Sequence, residues 1–220
     1  MTNTQIIQDF LENNRLPDFA DRTTLLSGEA RQLPTLKIDQ SFYLQGGNGI
    51  GKTHFATLFL RDWICKKFPN GFEIGKYREL PDFVPFDRFE QYIRNKNGFD
   101  SDEKYGAKLA LDQIKTSKFL ILDDFWLSEG TPHFKQLMFS ELFDIFDYRY
   151  KNRAELQTVV TTNLCFTKLD NIDKNFGRII SRIVGICSEL ELPKSFDRRF
   201  AGKINLVENA EIQKAGKIIF

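Results

Sequence analysis

The stretch GGNGIGKT, from Gly46 to Thr53, constrains the fold more than any other part of this chain. It satisfies the pattern G-x-x-x-x-G-K-S/T, and it lies between a short apolar run at 41–45 and a largely apolar, helix-like segment at 53–68. Glycines let a backbone turn tightly, and a helix that begins directly after them adds the partial positive charge of its amino end. A strand, a glycine-rich turn and a helix in this order indicate a phosphate-binding loop.

The side chains of the loop predict how it holds a nucleotide. Lys52 would reach the β- and γ-phosphates, and the Thr53 hydroxyl would complete a Mg²⁺ site with them. The residues expected to contact the nucleotide are Gly46, Gly47, Asn48, Gly49, Ile50, Gly51, Lys52, Thr53 and His54. His54 is expected to pack or to face solvent and not to take part in catalysis. The competing interpretation is a glycine-rich turn with a solvated lysine.

Two aspartates follow a second apolar run, KFLIL at 118–122. Carboxylates at the carboxyl end of a central strand lie where open α/β sheets bind ligands. We expect Asp123 to hold Mg²⁺ through its water shell and Asp124 to orient an attacking water. Either aspartate alone would suit a cap or a turn. The combination with the phosphate loop favours the metal site.

A third apolar run, QTVVTT at 157–162, is followed by Asn163. An amide at this strand end could donate to the γ-phosphate or to the lytic water. Asparagine is also an ordinary turn residue, and that alternative stays open.

Two arginines, Arg178 and Arg182, lie four residues apart on one face of a helix expected at 174–184. Neither has an obvious acidic partner at helical spacing. A guanidinium offered to the γ-phosphate of a neighbouring subunit would stabilise the charge of phosphoryl transfer. The alternative is a pair of solvated arginines.

Apolar runs alternate with helix-like segments along the chain, which predicts a parallel sheet with helices on its faces. The expected strands are 41–45, about 74–79, 118–122, 157–162 and 186–192. The expected helices are 4–15, 53–68 and a segment whose apolar face runs from Phe134 to Phe146, and 95–105 is expected to be an exposed loop. We divide the chain into a short helical lead-in (1–40), a core (41–193) and a C-terminal extension (194–220).

The charge balance excludes a strongly basic nucleic-acid-binding protein. Lys and Arg number 31 against 30 Asp and Glu, so any DNA contact must come from a local patch. The aromatic and basic stretches 85–96 and 146–153 could stack bases and neutralise phosphates, or they could be amphipathic helices with solvated outer faces. Three widely spaced cysteines predict reduced thiols without a disulfide or zinc site. The sequence shows nothing that resembles a secretory leader or an apolar run long enough to span a membrane, so we expect a cytoplasmic protein.

The order of the phosphate loop, LILDD, TTN and RIISRI resembles the AAA+ ATPases of the initiator and loader branch. It is most similar to the DnaC-type bacterial replicative helicase loaders and the related IstB-type transposition ATPases, over roughly residues 16–199. The resemblance implies an α/β fold of the P-loop NTPase (AAA+) type, with a five-stranded parallel sheet between helices and a reduced or absent lid. It also implies ATP and Mg²⁺ as cofactors, slow hydrolysis stimulated by DNA or a partner, self-association through nucleotide interfaces, a replicative helicase partner and single-stranded DNA.

The resemblance assigns roles to individual residues. Lys52 and Thr53 take the Walker A roles, Asp123 and Asp124 the Walker B roles, Asn163 sensor 1, Arg182 the arginine finger acting in trans, and Arg178 a second arginine at the same boundary. The segment SFDRRF resembles the terminal S-Y/F-R of the family, so Arg198 or Arg199, of which we favour Arg199, is expected to contact the nucleotide.

Two departures from the family widen the functional alternatives. Asp124 replaces the glutamate of most AAA+ proteins, which predicts slower hydrolysis. The segment before the phosphate loop is shorter than the region with which the loaders grip the helicase. The partner could therefore be a transposase or recombinase, or the chain could be a nucleotide-binding adaptor with negligible turnover.

Overall fold

The computed structural model of the chain describes residues 40–67, 81–125, 131–165 and 176–191. The helix predicted at 4–15, the strand predicted at about 74–79, and Arg198 and Arg199 lie outside these residues. The division into lead-in, core and extension therefore stays a prediction.

The described residues form ten elements in the order expected of an α/β fold. These are β1 (Phe42–Gln45), α1 (Lys52–Lys67), β2 (Asp82–Pro85), α2 (Phe86–Lys96), α3 (Ser101–Thr116), β3 (Phe119–Asp123), α4 (Pro132–Lys151), β4 (Gln157–Thr162), α5 (Gly177–Ile186) and β5 (Ser188–Glu191).

The five strands form one parallel sheet in the order β2-β3-β4-β1-β5. Phe42 of β1 lies opposite Val159 of β4, and Phe119 of β3 lies opposite Gln157. Every residue of β3 and β4 is buried, as expected for central strands of a sheet covered on both faces. The predicted five-stranded parallel sheet is therefore confirmed.

Alternate residues of each strand pack into two separate hydrophobic clusters. Phe42 and Leu44 of β1 contact the cluster formed with α1, whereas Tyr43 belongs to the cluster formed with α2, α3, α4 and α5. The side chains of α1 in the first cluster are Phe55, Ala56, Phe59, Leu60, Trp63 and Ile64. The sheet thus lies between helices, and its interior strands are held from both sides.

The second strand of the sheet differs from the prediction. The prediction placed it at about 74–79, whereas the strand that pairs with β3 is Asp82–Pro85. Its two buried apolar residues, Phe83 and Val84, are flanked by Pro81 and Pro85, and proline is unusual within a sheet. Proline is tolerated here because β2 is an edge strand, where one side of the backbone needs no ladder partner.

The predicted exposed loop at 95–105 is wrong for most of its length. Only residues 97–100 separate α2 from α3, because Asp100 caps the amino end of α3. Its Oδ1 accepts hydrogen bonds from the backbone N–H of Asp102 (2.9 Å) and Glu103 (3.0 Å), and both acidic residues favour the positive end of the helix.

Arg149 is a buried arginine at the amino edge of the sheet, opposite the edge that carries the phosphate loop. Arg149 of α4 is fully enclosed and donates to five acceptors on α3, the α3–β3 connection and β4. The acceptors are Thr158 Oγ1 (2.9 Å) and the backbone oxygens of Ile114 (3.2 Å), Lys115 (3.3 Å), Ser117 (2.9 Å) and Gln157. Two of these carbonyls belong to the last turn of α3, where the helix itself supplies no donor. Arg149 lies within the stretch 146–153, and its burial makes it inaccessible to a DNA phosphate.

Candidate functional site

The strand order brings the three polar strand ends of the sequence analysis to one edge. β1 lies beside β4, and β4 lies beside β3, so the phosphate loop, Asn163 and Asp123 follow neighbouring parallel strands. The backbone N–H of Gly46 donates to Thr162 O (3.2 Å) and extends the β1–β4 pairing into the loop.

The loop backbone adopts the conformation that its glycines predict. Gly46, Gly49 and Gly51 have positive φ values of 154°, 74° and 97°, which residues with a Cβ rarely adopt. α1 begins directly afterwards, and Phe55 N donates to Gly51 O (2.8 Å). A Cβ added to Gly47 or Gly51 would meet no atom within 4 Å, so the backbone at both positions borders open space.

The remaining loop residues divide between the core and the surface. Ile50 is buried, Gly47 and Asn48 are exposed, and His54 is half-buried in the first turn of α1. Ile50 therefore anchors the loop, while the neighbouring backbone is left accessible to a ligand.

The Lys52 ammonium connects the phosphate loop to the end of β4. The residue is 8% exposed, and its Nζ donates to Gly46 O (3.0 Å), Gly47 O (2.8 Å) and Asn163 Oδ1 (2.6 Å). These acceptors compensate for the hydration that the buried cation loses. The structure thus brings Lys52 and Asn163, which are far apart in sequence, into direct contact.

The Asp123 carboxylate is held by two threonine hydroxyls. Thr53 Oγ1 donates to Asp123 Oδ2 (3.1 Å), and Thr161 Oγ1 donates to Asp123 Oδ1 (2.6 Å). Burial raises the pKa of the Asp123 carboxyl above its ordinary value, although these hydrogen bonds and the charge of Lys52 act in the opposite direction. The carboxylate and the Thr53 hydroxyl lie side by side at the carboxyl end of β3.

Thr161 is a residue of this site to which the sequence analysis gave no role. Besides its bond to Asp123, its Oγ1 accepts from the backbone N–H of Asp124 (2.9 Å). The neighbouring Thr162 donates from its Oγ1 to Phe125 O (2.6 Å). The available signal was two adjacent hydroxyl side chains directly after Val159 and Val160. The hydroxyls fix the end of β4 to the end of β3.

Asp124 leaves the core directly after β3. Its φ of 54° lies in the left-handed region, which aspartate and asparagine adopt more readily than most residues with a Cβ. The residue is exposed, whereas Asp123 before it is buried. The two carboxylates therefore occupy different environments at the same edge.

The donor set fits a nucleotide with Mg²⁺. Thr53 and Asp123 offer hydroxyl and carboxylate oxygens, which are the ligands that Mg²⁺ prefers. The glycine-rich backbone and the Lys52 ammonium offer N–H donors and a positive charge to phosphate oxygens.

The two arginines of α5 contact α4. Arg182 Nε donates to Asp147 Oδ1 (2.7 Å), and the guanidinium carbon lies 5.1 Å from the Tyr150 ring centroid. Arg178 is exposed, with its guanidinium carbon 4.7 Å from the centroid of Phe143. Arg182 thus has an acidic partner on another helix, which inspection for helical spacing could not find.

In the parts of the chain that the structure describes, neither arginine forms a hydrogen bond or ion pair with the phosphate loop, Asp123 or Asp124. The same described residues contain no helix that is both long and apolar enough to cross a membrane.

The fold and the site define an α/β protein in which a P-loop-type phosphate loop follows the first strand of a five-stranded parallel sheet. Among solved structures the chain is similar to DnaI (17% identity, TM-score 0.53, 83% of this chain and 87% of DnaI). It is also similar to a protein assigned as a primosome component from Streptococcus pyogenes serotype M3 (20% identity, TM-score 0.50, 81% and 82% of the two chains). The DnaC helicase loader matches with 20% identity and a TM-score of 0.48 over 72% of this chain and 82% of its own.

No protein-family model and no curated protein matches the sequence. At these identities the likenesses concern the fold, and the resemblance to helicase loaders inferred from the motifs is confirmed at that level.

Proposed function

We propose that the chain is an ATP-dependent switch protein of DNA replication that resembles the DnaC-type helicase loaders. It binds and hydrolyses ATP with Mg²⁺ at interfaces between copies of itself, and it engages single-stranded DNA and a replicative helicase. The observation that carries this proposal is the convergence of Lys52, Asn163, Thr53 and Asp123 at one edge of the sheet. The likeness of the fold to DnaI and to the primosome component supports the assignment to replication.

Each residue has a distinct task in the proposed hydrolysis. The loop N–H groups and Lys52 bind the phosphates, while Thr53 and Asp123 hold Mg²⁺, which supplies charge neutralisation at the phosphate oxygens. Asp124 orients the attacking water and accepts its proton at the carboxylate. Asn163 donates its amide to the γ-phosphate or to that water, and Arg182 of a neighbouring copy stabilises the charge that develops.

Measurements of ATP binding and hydrolysis by the purified protein test the enzymatic part of this proposal. Lys52→Ala is expected to abolish ATP binding, whereas Asp124→Asn is expected to keep binding and to lower kcat by about 100-fold or more, as loss of a general base does. Lys67→Ala, an exposed lysine at the end of the same helix, serves as the matched control. Failure of the wild-type chain to bind ATP would refute the proposal. Binding without any turnover would identify an adaptor instead.

The DNA contact needs its own test, because the formal net charge is only +1. Arg94 on α2 and Arg153 after α4 are exposed on the two basic, aromatic stretches. The double variant Arg94→Ala, Arg153→Ala is expected to weaken ATP-dependent binding of single-stranded DNA several-fold at low salt and to flatten its salt dependence. Lys104→Ala, an exposed lysine on α3, is the control. Unchanged affinity of the double variant would exclude these two stretches as the DNA surface.

The partner is identified by pull-down from a native extract in the presence of ATP. Recovery of a replicative helicase supports the proposal. Recovery of a transposase or recombinase would show that the partner belongs to that class and not to the replicative helicases.

A further inference from the structure

We propose that Asp147 is a positioning residue, which holds Arg182 so that both terminal amino groups of its guanidinium face a phosphate bound by the neighbouring copy. The inference rests on the proposed function, because it concerns the arginine that completes the ATP site in trans.

The contact between the two side chains uses only one nitrogen of the guanidinium. Arg182 Nε donates to Asp147 Oδ1 at 2.7 Å. Within the residues that the structure describes, Nη1 and Nη2 of Arg182 donate no hydrogen bond. A guanidinium held at Nε leaves Nη1 and Nη2 available to donate two parallel hydrogen bonds to another anion. This pair of donors matches the spacing of phosphate oxygens. A carboxylate that blocked the arginine would instead have to occupy the Nη groups.

Two aromatic rings limit the orientation of the same guanidinium. Its central carbon lies 5.1 Å from the centroid of Tyr150 and 5.8 Å from that of Phe143, within the range of cation–π attraction. Arg182 is half-buried, with 33% of its side chain exposed. The side chain is therefore restrained by these contacts and still partly exposed.

Asp147 is itself held in place and ionised. Its Oδ2 lies 2.6 Å from Lys151 Nζ, one turn further along α4. The hydrogen bonds from Lys151 and Arg182 lower the pKa of the Asp147 carboxyl below its ordinary value. The partner of Arg182 thus keeps its negative charge throughout the neutral pH range.

Arg178 lacks an equivalent partner. Among the described residues no hydrogen bond or ion pair holds Arg178, whose guanidinium carbon lies 4.7 Å from the centroid of Phe143. An exposed arginine samples many rotamers, whereas a side chain that acts on a transition state must be placed within a fraction of an ångström. The structure therefore favours Arg182 over Arg178 as the arginine that acts in trans.

The test compares steady-state ATP hydrolysis by the full chain and by four variants. Asp147→Ala is expected to lower kcat by about 10- to 100-fold with little change in KM for ATP, because a misplaced arginine affects the transition state more than nucleotide binding. Asp147→Asn keeps an oxygen that can accept from Nε and is expected to lose less. Lys118→Ala, which removes an ion pair with Glu155 that involves neither Arg182 nor Asp147, is expected to retain a kcat within about twofold of the wild type. Arg182→Ala gives the reference value of kcat for an assembly that lacks this arginine.

A mixing experiment separates positioning from a loss of stability. Asp147→Ala has an intact nucleotide site, while Asp124→Asn has an intact Arg182, so mixed assemblies contain interfaces with both. Hydrolysis is expected to recover in the mixture above the sum of its components. The absence of recovery, or a kcat of Asp147→Ala equal to or above that of the wild type, would overturn the inference. If Arg182→Ala itself hydrolysed ATP normally, the proposed role of Arg182 would fail instead.

Discussion

Replacement of Arg149 by methionine tests whether the amino edge of the sheet depends on one buried guanidinium. Methionine keeps much of the volume and removes all five hydrogen bonds. Bonds from a charged donor contribute about 1.5 kcal/mol or more each, so their loss destabilises the fold by about 7 kcal/mol. Burial lowers the pKa of Arg149 from 12.5 to about 10, so methionine also removes a charge that is costly to bury, and the net loss is expected in the range of about 3–5 kcal/mol typical when one partner of a buried charged contact is removed.

The expected net loss for Arg149→Met is therefore about 4 kcal/mol, a large fraction of the roughly 5–15 kcal/mol that stabilises a typical domain. Equilibrium urea unfolding measures it directly, and the corresponding fall in Tm is about 8–16 °C for a chain of this size. Arg153→Met is the control, because Arg153 is exposed, and among the described residues its guanidinium contacts the Tyr150 carbonyl and ring. An Arg149→Met protein within about 1 kcal/mol of this control would refute the reasoning.

Two further substitutions test local features of the fold. Burial raises the pKa of Asp82 from 3.8 to about 6. Between these two pH values the folded state therefore binds more protons than the unfolded state. The free energy of unfolding falls as the pH rises through this range. Asp82→Asn is therefore expected to exceed the wild type in stability at pH 8 but not at pH 4, as measured by urea midpoints at each pH; a constant difference would contradict this. Asp100→Ala removes the cap of α3 and is expected to lower the free energy of unfolding by about 1 kcal/mol, whereas Asp112→Ala on the exposed face of the same helix should have little effect. Equal losses in the two variants would argue against the cap.

The sequence predicts the interior strands of the sheet better than its edge strand β2. Strands β1 and β3 are mostly apolar and β4 is rich in β-branched residues, because both faces of the sheet are covered, and such stretches are visible without a structure. Parallel strands also end at a common edge, so the polar residues that follow them could be expected to meet. Lys52, Asp123 and Asn163 do lie at that edge, because the strands that carry them are neighbours.

Features that depend on contacts between distant segments gave no readable signal. Arg149 lies in a stretch that resembles a solvated basic surface, and its acceptors are mostly backbone carbonyls, which every sequence contains. The partner of Arg182 is 35 residues away on another helix. The sequence did not predict β2, because its flanking prolines are acceptable only at an edge and the position of a strand within the sheet depends on the whole fold.

The left-handed turn at Asp124 links the choice of acid at this position to the handedness of the backbone. A glutamate, which the resemblance to AAA+ proteins would lead one to expect here, would extend the carboxylate by one methylene group, but glutamate adopts the left-handed conformation less readily than aspartate. Exchange of the two acids in this chain would therefore alter the path of the main chain as well as the reach of the carboxylate. An alignment that scores aspartate and glutamate as equivalent would conceal this difference.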